Sequence, residues 1–139
     1  MNPPMSDAVA AAYAGFPAPA RAGCLALRDL VFEVAGQTPE AGRIAEELRW
    51  GQPAYLTPET KAGTTIRIGV PKGGGYALFV HCQTTLIEGF RAVAPPEARF
   101  DGTRGVLFSD TAAVDKPAMA LLIRAALTYH LRKSVERAV

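Results

Sequence analysis

The chain has 139 residues, of which 49% are hydrophobic and 20% charged, with a formal net charge of +2. That length suits one domain, and the balance of apolar and charged residues excludes disordered, collagen-like and coiled-coil classes. Fifteen basic against 13 acidic side chains give no electrostatic case for a nucleic-acid or anionic-membrane partner, although eleven of the basic residues are Arg, suited to bidentate contact with carboxylate or phosphate.

Ser6-Asp7 predicts the cap of a short helix over Ala8 to Ala14, stopped by the Pro-rich stretch that leads to residue 19. A second helix follows from about Ala20 to Ala35. Cys24, Leu27, Leu30, Val31 and Val34 form its apolar face, and Arg28, Asp29 and Glu33 its wet side. GRIAEELRWGQPAYL is ambiguous: Glu46 and Glu47 favour helix, while Trp50, Pro53 and Tyr55 favour an extended edge strand from about Arg49, bent at Gly51.

Thr64 to Val70 and Tyr76 to Cys82 are the clearest strands, joined by PKGGG. Pairing Val70 with Tyr76 sets Ile68 against Leu78 and Ile66 against Val80 on one apolar face, leaving Thr65, Arg67, Phe79 and His81 on the other. Thr85 and Glu88 have capping-box spacing and open a short helix through Ala92. Val106 to Phe108 reads as a fourth strand. Asp115 then caps a last helix to about Arg137, whose apolar stripe includes Met119, Leu122, Ile123, Ala126 and His130. The expectation is one α+β domain over residues 1–139, with an antiparallel sheet of about four strands, helices on one face and the order ααβββαβα.

At WGQPAY, TTIRIG, YALFVHCQTTLIEGF and RAALTYHLRK the chain resembles the YdhG-like family, a bacterial domain of unknown function, over roughly residues 20–133. The Trp50-Gly51-x-Pro53-x-Tyr55 element is the most specific part of that likeness. The resemblance implies a single small domain comparable in shape with frataxin, and one branch of the family is regarded as an intracellular iron chaperone. Frataxin-like iron binding uses an acidic ridge, whereas Asp7, Glu33, Glu40, Glu46 and Glu47 are scattered or merely paired along this chain.

Trp50 and Tyr55 read either as an aromatic wall of a cleft or as a plug of the core. Arg67, in mid-strand, must be exposed, paired with Glu46 or Glu47, or placed for an anion. His81 and Cys82, adjacent on a strand, should point to opposite faces, which leaves His81 with Arg67 and Cys82 in the core. Gly73 to Gly75 lack the ending of a phosphate-binding loop. Arg91, Arg99 and Arg104 are surface residues that, with Arg67, would make one rim positive.

Two cysteines without metal-ligand spacing, no basic leader, and no run of the roughly 20 apolar residues that cross a bilayer point to a cytoplasmic protein without cofactor or metal, monomeric or weakly dimeric. Three functions follow. The first is a non-enzymatic module binding a small anionic ligand through Trp50, Tyr55, Arg67, His81 and Arg104. The second is an iron chaperone, and the third an enzyme using His81 as general base.

Overall fold

The computed structural model describes residues 2–131. Its elements are α1 (Asp7–Gly15), α2 (Ala18–Gly36), a 3₁₀ turn at Pro39–Ala41, β1 (Ala45–Arg49), β2 (Gln52–Leu56), β3 (Ile66–Gly69), β4 (Tyr76–Phe79), α3 (Leu86–Arg91), β5 (Arg99–Asp101), β6 (Gly105–Phe108) and α4 (Lys116–Leu127). The α+β class holds, but the sheet has six strands, not four. All neighbours are antiparallel, in the order β1-β2-β3-β4-β6-β5.

The two added strands escape a reading by hydrophobic alternation for different reasons. β5 is three residues long and pairs with β6 alone among the described strands, with Phe100 opposite Val106. β1 looked helical because of its two glutamates, yet Glu46 and Leu48 face inward while Glu47 and Arg49 are exposed, which is strand periodicity. Trp50 and Gly51 do not bend one strand. They form a two-residue hairpin turn with φ of 52° and 74°, which pairs Arg49 with Gln52. Positive φ at both central positions is the type I′ geometry that matches the twist of a hairpin.

β3 and β4 take the expected register, with Ile68 opposite Leu78 and Arg67 opposite Phe79. Ile66, Ile68, Leu78, Val80 and Val106 face the helices and are at most 2% exposed. α2 lies over β3 and β4 and against α4, while α1 covers β1 and β2. Ser6 caps α1 by accepting from the Val9 amide, and Asp115 caps α4 by accepting from Ala118.

Three local expectations are corrected. Thr85 makes no side-chain cap at α3; its amide instead donates to the Tyr129 hydroxyl. α4 stops at Leu127, where Thr128 turns its hydroxyl back to the Arg124 carbonyl. That break rotates the following residues, so Tyr129 takes the inward position and His130 is exposed. Residues 129–131 are helical again, and the remainder of the expected helix, from residue 132 to Arg137, lies outside the described residues.

Arg28 is the third correction, because it is buried on α2 and not on the wet side. Its Nε donates to Glu46 Oε2 at 2.6 Å and its Nη2 to Oε1 at 3.0 Å. Nη2 also reaches the Pro3 carbonyl at 2.7 Å. A bidentate, nearly solvent-free pair of this kind compensates the charge of a sheet-facing glutamate buried under a helix.

Candidate functional site

The face of the sheet opposite the helices carries short side chains where other sheets carry bulk. Ala54, Arg67, Phe79 and Gly105 lie in one row across β2, β3, β4 and β6, with Gly69 and Ala77 beside them. A Cβ added to Gly105 would stand 2.8 Å from the Phe79 ring, and one added to Gly69 would meet Gln52 at 2.5 Å. These absent side chains let the Phe79 ring lie down on the sheet, where it is 6% exposed.

Two guanidinium groups cover that ring. Arg67 Cζ is 5.5 Å from its centroid and Arg104 Cζ 5.9 Å. Arg67 is also 5.3 Å from the Trp50 ring, so its planar head sits between two aromatics. Its hydrogen-bond acceptor is neutral: Nη1 donates to Gln52 Oε1 at 2.6 Å. Neither glutamate considered as its partner is available, since Glu46 is held by Arg28 and Glu47 by Arg49 at 3.2 Å. Arg104 has an exposed pair with Asp101 at 2.9 Å. Burial, and then the neighbouring Arg104 cation, push the Arg67 guanidinium below its ordinary basicity. The place therefore favours an incoming negative charge.

Trp50, Arg67 and Arg104, together with Thr65, Val80, His81 and Cys82, line a hollow of about 230 Å³. β4 ends at Phe79, so His81 and Cys82 belong to a turn and not to the strand. The alternation that would send them to opposite faces does not operate there. Both are exposed, and Cys82 is not a core residue. The Thr103 hydroxyl donates to the Cys82 carbonyl at 3.0 Å, and the Val80 amide donates to the Arg104 carbonyl at 2.7 Å, which fixes this turn against the β5–β6 hairpin. His81 Nδ1 accepts from the Gln83 amide at 3.1 Å. In a neutral ring the hydrogen is then on Nε2, which is a donor.

Four of the five residues named from the sequence, Trp50, Arg67, His81 and Arg104, thus meet in one hollow. Tyr55 does not. It pairs with Ile66 on the helix side, is 0% exposed, and packs edge-on to Phe32 of α2. Its hydroxyl donates to Glu46 Oε2 at 2.8 Å and accepts from Tyr13. Burial, reinforced by Tyr13 and Glu46, pushes this phenol far above its usual range and keeps it a donor. Gln52 and Cys82 were not anticipated at the site; Gln52 becomes visible only once Trp50-Gly51 is seen as a turn.

A cavity of about 380 Å³ lies elsewhere, on the helix side between β6, the start of α4 and the segment before β5. Phe90, Val106, Phe108 and Met119 make it apolar, and Asp115 at its edge is engaged as the α4 cap. The hollow at Arg67 is smaller but is where cations, a histidine and a thiol converge. Neither a family model, nor a curated protein, nor a solved structure matches this chain.

The two thiols should differ sharply. Cys24, on the buried side of α2, is 0% exposed and burial pushes its thiol up to about 12, whereas Cys82 is exposed. Native protein treated with an excess of a thiol-specific reagent at pH 7.5 should lose one thiol per chain quickly and the second only on denaturation, with Cys82→Ser removing the fast phase. Two fast thiols, or none, would contradict this placement.

Proposed function

We propose that the protein is a non-enzymatic binding module for a small anionic molecule, which is received on the open sheet face by Arg67, Arg104, Trp50 and the Nε2–H of His81. The observation that carries this reading is the guanidinium of Arg67. It is held between the Trp50 and Phe79 rings and satisfied by a neutral amide, with a second cation beside it. A cation preorganised without a carboxylate partner has its strongest interaction still to make.

The alternatives have less to rest on. A general base at His81 needs a free lone pair, and with Nδ1 accepting from the Gln83 amide the neutral ring would first have to give up that hydrogen bond. For iron, no three His, Cys, Asp or Glu side chains stand together among the described residues, and Glu46 is committed to Arg28. Kinship with the YdhG-like family is part of this proposal and rests on the Trp50-Gly51-x-Pro53-x-Tyr55 element, which here makes a hairpin with Trp50 outward and Tyr55 inward. A cytoplasmic setting fits the two free thiols. No helix of the described residues is long and apolar enough to cross a membrane.

Thermal denaturation at constant ionic strength tests the reading. Inorganic phosphate, citrate and acetate, each raised through the millimolar range against chloride, should raise the melting temperature in at least one case. Ligand at about 100 times its dissociation constant adds roughly 2.7 kcal/mol. No shift with any of them would remove the basis for an anion site.

A further inference from the structure

Trp50 occupies a position that a type I′ turn normally gives to Asn, Asp or Gly, because φ must be positive and a large side chain is strained there. Its φ is 52°, and yet the side chain is 83% exposed, so the strain is not offset by burial in the core. The described contact of the indole is with the Arg67 guanidinium, on the rim of the hollow. An exposed aromatic kept in a strained conformation beside two cations is placed for something that arrives from solvent.

Resting on the anion-binding reading above, we infer that the ligand is a planar aromatic anion, an aryl carboxylate or aryl phosphate, whose ring stacks on Trp50 while its charged group meets Arg67, Arg104 and His81. A simple inorganic anion would use the two guanidiniums and have no use for the indole. A neutral aromatic would have no use for the cations. Phe79 cannot supply the stacking surface, because both arginines already lie over it. The indole is the aromatic of this site that leaves a face open, and a hollow of about 230 Å³ takes one ring with its anionic group but not a dinucleotide.

Benzoate and cyclohexanecarboxylate have the same charge and carbon count but differ in planarity, which makes them the probes of choice. Titration calorimetry on the full chain should show benzoate binding about fivefold more tightly, the size expected of one aromatic pair. The chain has a single Trp, so its emission reports this position alone and should respond to benzoate and not to cyclohexanecarboxylate. Trp50→Asn, which suits the turn, should melt no lower than the parent without ligand and should bind the two acids equally. Trp50→Phe should retain part of the preference. Equal affinity of the parent for the two acids, or an undiminished preference in Trp50→Asn, would overturn the aromatic assignment and leave the anion site standing. Binding of neither acid, with no stabilisation by phosphate or citrate, would instead remove the anion site itself.

Discussion

Arg28→Met is expected to lower the stability of the free protein by about 3–5 kcal/mol, the usual consequence of leaving a buried charge without its partner. The stranded group is Glu46, whose side chain is 8% exposed and whose Oε2 keeps only the Tyr55 hydroxyl once the guanidinium is gone. The chain of donors Tyr13 to Tyr55 to Glu46 cannot neutralise a carboxylate; it only points hydroxyls at it. Replacing both partners, as Arg28→Met with Glu46→Met, should recover most of the loss, because the cost lies in the uncompensated charge and not in the missing pair. Urea denaturation with an unchanged slope is the measurement. A loss below about 1 kcal/mol in the single variant would mean that the pair behaves as a surface one.

Arg67→Met should do the opposite. In the free protein it removes one hydrogen bond to a neutral amide and a cation between two rings, and it strands no carboxylate. Stability should therefore stay within about 1 kcal/mol of the parent, while relief of the repulsion from Arg104 works in its favour. Stabilisation by the anion found in the thermal screen should disappear. Arg67→Lys should keep only part of it, since an ammonium neither forks nor stacks. A loss of several kcal/mol in ligand-free Arg67→Met would show that the residue serves the fold, and the binding site would lose its centre.

The helix-side core and the face assignment of β3 and β4 were legible because their alternation is unbroken: Ile66, Ile68, Leu78 and Val80 could point only one way. Where a short element ends was not legible, and the misreadings at the site came from there. His81 and Cys82 read as strand because β-branched and aromatic residues precede them, but pairing stops at Phe79 and the turn then places both in the hollow. His130 fits a helical stripe extended past Thr128, and the break there is set by a tertiary contact, the His130 amide donating to the Ala62 carbonyl. Arg28 looked solvated because its carboxylate partner is eighteen residues away on β1, in a segment whose strand character the sequence obscures. Tyr55 was drawn to the site by its neighbour Trp50, although the tight turn between β1 and β2 gives Trp50 to the rim and leaves Tyr55 with the helices.

The order of the strands also bears on how the hollow is assembled in time. Each strand lies beside its neighbour in the sequence except at one place, where β4 pairs with β6 across α3 and β5. That pairing closes the longest loop within the sheet, and closure of long loops is the slow part of building a sheet. Arg67 is on one side of the junction and Arg104 on the other, so the slow step also draws two like charges onto the same ring. Under the anion-binding reading proposed above, a counterion that bridges them would offset this repulsion as the pairing forms, so added phosphate is expected to speed refolding of the parent more than that of Arg67→Met.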